Sequence, residues 1–93
     1  MFKTNEYFDG KVKSIAFKTP ECPATMGVMA PGAYEFPTSS VEYITVISGR
    51  MNVLLPGETS WTSFKPFEQF VVPRDSTFKL EIAEETVYLC LYK

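Results

Sequence analysis

Any chemistry in this chain has to be done without histidine, because none occurs among its 93 residues. That removes Ser-His and Cys-His nucleophile systems, the H-E-x-x-H zinc site and any imidazole acid or base. No G-x-G-x-x-G and no G-x-x-x-x-G-K-[ST] marks a dinucleotide or P-loop site, and the acids form no D-x-D cluster for Mg²⁺ or Ca²⁺. Cys22 and Cys90 lie far apart, outside any C-x-x-C spacing, and Cys90 reads as a small buried hydrophobe in an apolar final segment. What remains is Glu42. It stands within Val41 to Ser48, a run otherwise apolar or β-branched, where a carboxylate is costly to bury without a partner. Glu42 is therefore the candidate catalytic carboxylate, with a structural salt bridge or an outward position as the competing explanations.

The elements that must position it read as strands throughout. Short runs that alternate in polarity or are rich in Val, Ile, Phe and Tyr recur between Pro, Gly, Ser and Asp clusters, and no twelve-residue stretch has a clean helical period. Strands are expected at Lys11 to Phe17, Ala24 to Ala30, Gly32 to Phe36, Val41 to Ser48, Met51 to Leu55, Thr62 to Phe64, Gln69 to Val72, Thr77 to Ile82 and Thr86 to Leu91. Turns fall at Asp9-Gly10, Ala30-Pro31-Gly32, Ser48-Gly49-Arg50, Leu55-Pro56-Gly57 and Pro73 to Ser76, among others. Turns about every ten residues are the pattern of an all-β sandwich or barrel, and closure would hide the sheet edges of so short a chain. Parity places Phe78, Leu80 and Ile82 on one face of their strand, opposite Lys79 and Glu81. The strand of Glu42 is apolar on both faces, so parity alone does not say which face is inside.

Residues 1–93 form one domain's worth of chain, small enough that its core will be thin. The 45% hydrophobic and 15% aromatic residues argue against disorder, and rings are expected to fill much of the interior. A marginal monomer gains stability by pairing, so a homodimer is the expected state. A net charge of −2 removes the electrostatic reason to expect nucleic acid or an anionic membrane as partner. The opening residues Met1 to Glu6 lack the apolar run of a signal peptide, and Val87 to Tyr92 is too short to span a bilayer. The resulting expectation is a reduced cytoplasmic protein.

Glu42, followed by Gly49 after six intervening residues, resembles the closing half of the first cupin motif, in which a strand carries an inward glutamate into a glycine turn. The histidines that should precede it are missing, their place falling at Thr38-Ser39-Ser40. The second motif is altered as well: Pro73 keeps its turn position, Asp75 replaces a glycine, and Phe78 stands where a histidine ligand would be. The expected fold is thus a single small cupin-type, jelly-roll-like barrel without a metal site. Further along, Asn5 to Phe8, Gly10 to Ile15, Gly27-Val28-Met29, Thr45 to Gly49, Asn52 to Pro56 and Tyr88-Leu89-Cys90, in that order and spacing, resemble the pyrimidine/purine nucleoside phosphorylase family of very small cupins. The resemblance implies that purine and pyrimidine nucleosides react with inorganic phosphate, as co-substrate, to give free base and pentose 1-phosphate, with no cofactor. A non-catalytic, metal-free cupin that binds a small sugar or nucleoside is the alternative.

Phosphorolysis needs positioned phosphate, contacts to the ribose and help for the departing base, but no protein nucleophile. For phosphate, Lys11 and Lys13 are the first candidates, with Ser48 and the amides around Gly49 as helpers. For the ribose, or as a proton donor to the base, Glu42 is the best carboxylate. For the base, stacking should outweigh edge readout, because every base has a π-face. Tyr7, Tyr43, Phe70, Phe78 and Tyr92 are the candidate rings, each with core packing as its plainer explanation.

Overall fold

Ten strands and no helix make up the computed structural model, which describes residues 1–93. Nine of them, β2 (Val12–Lys18), β3 (Pro23–Met29), β4 (Gly32–Pro37), β5 (Glu42–Ser48), β6 (Met51–Leu54), β7 (Thr62–Phe64), β8 (Gln69–Val72), β9 (Thr77–Ile82) and β10 (Thr86–Tyr92), fall within a residue or two of the sequence expectation. The tenth, β1 (Thr4–Tyr7), was not expected. Its residues, TNEY, have neither alternation nor β-branched density, and it is held by the partner strand: Thr4 to Tyr7 pair antiparallel with Ile15 to Val12.

The strands form two antiparallel sheets, ordered β1-β2-β3-β10-β5-β8 and β4-β9-β6-β7. Their inner faces meet in one cluster that includes Val12, Val46, Met51, Val53, Val72 and Leu80, each nearly or wholly buried. This is the all-β barrel expected from the turn spacing. Phe78, Leu80 and Ile82 are buried and Lys79 and Glu81 exposed, as parity requires. On β5, burial of Ile44 and Val46 resolves what the sequence left open: Glu42 shares their face and points inward.

Two turns show how the altered cupin positions work. Asp75, in place of glycine, has φ 55°, a left-handed conformation that Asp adopts more readily than most residues. Its amide donates to the Thr38 carbonyl at 3.1 Å, while the buried Thr38 hydroxyl donates to the Pro73 carbonyl at 2.7 Å and accepts from the Ser76 amide at 3.0 Å. The segment where histidines would stand therefore clamps the β8–β9 turn. At the other motif, Gly49 has φ 90° and packs so tightly that a Cβ would fall 2.5 Å from the Thr86 hydroxyl. That hydroxyl accepts from the Arg50 amide and donates within reach of the Arg50 and Glu84 carbonyls, which ties the β5–β6 turn to the start of β10.

Candidate active site

Between the sheets, at the end of the barrel where β5 begins and β10 finishes, lies a cavity of about 570 Å³. Its floor follows from the strand register. Glu42 pairs with Tyr92 and Ile44 with Cys90 across β5 and β10; Cys90 pairs in turn with Thr25, and Tyr88 with Gly27, across β10 and β3. Gly27 also pairs with Ser14 on β2. Ser14, Glu42, Tyr88, Cys90 and Tyr92 all line the cavity.

These groups form a linked polar floor. The Cys90 thiol donates to Glu42 Oε1 at 3.5 Å, and the Tyr92 and Thr25 hydroxyls share a hydrogen bond of 3.0 Å. Asn5 Nδ2 donates to Ser14 Oγ at 3.5 Å, so the unexpected β1 supports the floor from behind. Burial pushes the Glu42 carboxyl above its ordinary pKa, and the Cys90 hydrogen bond draws it only part of the way back. Burial, followed by the charge of neighbouring groups, also raises Tyr88, Cys90 and Tyr92 above their ordinary values. The floor thus presents hydroxyls, a thiol and a carboxyl that burial makes harder to ionise than a solvated one.

The opposite wall is apolar. Phe36, Met51, Phe78 and Leu80 come from the four-stranded sheet, and Tyr7 and Phe8 reach in from the β1–β2 hairpin. Phe36 is the hub of the rings: Tyr7 meets it edge-on at 5.9 Å, Phe8 edge-on at 5.4 Å, and Phe78 stacks beside it at 6.0 Å.

Of the residues expected at the site, Glu42, Tyr7, Phe78 and Tyr92 are brought together in this cavity. Phe70 is buried one layer behind, packed on Phe64 and Phe78. Tyr43 faces outward on β5, where the Lys93 ammonium lies 4.9 Å from its ring centroid. Lys13 is exposed on the outer face of β2 and pairs with Glu6 at 3.2 Å; Lys11 is exposed beside it at the hairpin. Ser48 ends β5 six residues from Glu42, about 20 Å along the strand. None of Lys11, Lys13 and Ser48 lines the cavity, and no lysine or arginine does. Phe8, Ser14, Phe36 and Tyr88 also line the cavity without being marked in the sequence, and Cys90 is marked there only as core. The inward parity of β10 with Glu42 as reference finds Tyr88 and Cys90, and that of the expected strand β2 places Ser14 on the face of Val12, whereas Phe8 depends on the unexpected pairing of β1.

Two facing antiparallel sheets that close around a cavity at one end, with the glutamate of the first motif directed into it, define a cupin-type barrel. Its backbone resembles an RmlC-like cupin from Shewanella frigidimarina with a TM-score of 0.77 at 14% identity, over 98% of this chain and 82% of that one. The chain belongs to the pyrimidine/purine nucleoside phosphorylase family, whose pattern matches residues 2–92. A pyrimidine/purine nucleoside phosphorylase of Pseudomonas entomophila is 57% identical over 93 residues, spanning 100% of this chain and 99% of the relative. One of Hahella chejuensis is 54% identical over 92 residues, 99% of each chain. A Vibrio parahaemolyticus protein of unknown function, 40% identical, superposes with a TM-score of 0.96 over 100% of this chain and 99% of its own.

Proposed function

We propose that this protein is a nucleoside phosphorylase of broad base preference, converting purine and pyrimidine nucleosides and phosphate to free base and pentose 1-phosphate. The observation that carries the reading is an inward Glu42 with a raised pKa, on the hydroxyl-lined floor of a cavity faced by aromatic rings. Membership of the family supplies the reaction class.

In the reaction, a phosphate oxygen bonds to the anomeric carbon as the bond to the base nitrogen breaks, and the bonding pair leaves with the base. In its protonated form, whose share burial increases, Glu42 gives its proton to the departing base. The attacking hydrogen phosphate loses a proton as its oxygen becomes the ester oxygen, and that proton restores the carboxyl, so charge and protons balance. Tyr88, Tyr92 and Ser14 offer hydroxyls to the pentose and stabilise it where positive charge develops. No step uses a protein nucleophile. The Cys90 thiol, which burial holds protonated, orients Glu42 instead.

The working form in this reading is a metal-free homodimer in the cytoplasm. No three His, Cys, Asp or Glu side chains come together in a metal-binding group, and Phe78 holds a position that offers no ligand atom. Pairing is supported by the outer face of the six-stranded sheet, where Ile15, Met26, Val28 and Val71 are 39% to 49% exposed.

The test is to incubate chelator-stripped protein with uridine and with adenosine, with and without phosphate, and follow base and pentose 1-phosphate by chromatography. Release from both, only with phosphate, is the expected result. Binding without release would instead support a non-catalytic cupin that holds a nucleoside or sugar.

A further inference from the structure

The cavity has two chemically distinct sides, and each comes from a different part of the fold. Ser14, Glu42, Tyr88, Cys90 and Tyr92, which carry the hydrogen-bonding side chains, belong to the six-stranded sheet. The four-stranded sheet supplies Phe36, Met51, Phe78 and Leu80. Its one charged residue at the rim, Glu35, has its carboxylate 3.9 Å from Lys79 and is exposed.

Above the apolar side sits the tip of the β1–β2 hairpin. Phe8 and Asp9 have φ of 54° and 57°, and the Gly10 amide closes the turn on the Tyr7 carbonyl at 3.2 Å. With Gly10 at φ 84°, three left-handed residues follow one another in the four-residue connection between the paired Tyr7 and Val12, and an aromatic residue at the first of them is disfavoured. The ring of Phe8 is nevertheless directed over the cavity, 5.1 Å from Tyr34 and 5.4 Å from Phe36, and remains 44% exposed. A large ring in an unfavourable conformation, seated at a cavity mouth and only half covered, gains too little from packing to account for its place.

We propose that Phe8 and Phe36 are the specificity-determining clamp for the nucleobase, holding it by its π-face while the polar floor engages the pentose. This inference rests on the phosphorylase reading and extends it to the basis of broad base preference. Two rings set edge to face, with no side-chain donor or acceptor of their own, offer a base one ring's face and the other's edge, and so read area and polarisability, which purines and pyrimidines share. Discrimination between base edges would need a fixed hydrogen-bonding group at that end, and the phenol of Tyr7 is the one such group among the mouth rings.

Steady-state kinetics of F36L and F8N with uridine, adenosine and phosphate test the clamp. Leucine keeps the apolar bulk of Phe36 but removes the π-face; asparagine removes the Phe8 ring while suiting the left-handed backbone, so F8N should melt no lower than the parent. Both variants should raise KM for uridine and for adenosine about fivefold or more, with the phosphate KM within about twofold of the parent. Parental nucleoside KM values in both variants would overturn the clamp, as would an effect confined to one of the two nucleosides. A parent protein that releases no base from either nucleoside would overturn the phosphorylase reading together with the clamp.

Discussion

The ring of Tyr88 lies directly on the backbone of Gly27, so close that a Cβ built there would fall 2.5 Å from the phenolic oxygen. The register explains the arrangement, since Gly27 sits between Ser14 on one side and Tyr88 on the other. Without a side chain on β3, the phenol can cross that strand toward Ser14 and form part of the cavity floor. Gly27→Ala should therefore move the ring, not merely crowd it. The cost expected for overpacking is about 1–3 kcal/mol, visible as a clear fall in the thermal midpoint, with loss of turnover in the folded fraction. A variant with parental midpoint and parental turnover would show that the close contact has no consequence.

Glu42 should leave a signature in the pH dependence of stability. Its folded pKa is raised, with burial the larger cause, so between the unfolded value of about 4.3 and the folded value the native state holds more protons than the unfolded state. Stability must then fall as pH rises through that window, and be fully retained below it. Glu42→Gln removes the titration, so urea midpoints measured from pH 4 upward should decline less steeply in the variant. Parallel curves for the two proteins would remove Glu42 as a buried titrating group.

The two thiols should differ sharply in reactivity. Cys90 is 2% exposed, donates to Glu42, and burial raises its pKa; Cys22 is only partly covered, beside the Thr19 hydroxyl. A thiol reagent at neutral pH should label one cysteine per native chain, Cys22, and reach Cys90 only on unfolding. Mass mapping of the label checks this. Labelling of both at the same rate in native protein would contradict the burial of Cys90.

Much of the fold was legible in the sequence because its strands are built on alternation: Phe78, Leu80 and Ile82 announce an inner face by themselves. β1 was hidden because Thr4 to Tyr7 is polar and edge-placed, so its conformation is dictated by pairing with β2 and not by its own residues. The candidate site was half legible. Glu42 stood out through the cost of burying a carboxylate, yet only the buried Ile44 and Val46 beside it show which way it points. Lys13 looked like a phosphate ligand on charge alone, and its face could not be known before Val12 and Ser14 were seen to be buried. Ser48 followed Glu42 in sequence, but a strand of that length carries it to the far end of the barrel. Phe36 ends an expected strand without any mark of its own, because its importance lies in being met by Tyr7 and Phe8 of the β1–β2 hairpin and by Phe78 of β9.

Glu42 is the group on which the proposed chemistry depends, and the decisive measurement compares Glu42→Gln with the parent for pentose 1-phosphate formation, alongside calorimetric binding of the same nucleoside. Glutamine keeps the shape and can still meet the Cys90 thiol, but it carries no proton that a departing base could take. The expected result is turnover reduced at least tenfold, with nucleoside binding close to parental and a thermal midpoint no lower than the parent's. Turnover near the parental value in a folded, binding-competent variant would contradict the assignment of Glu42 as the proton donor.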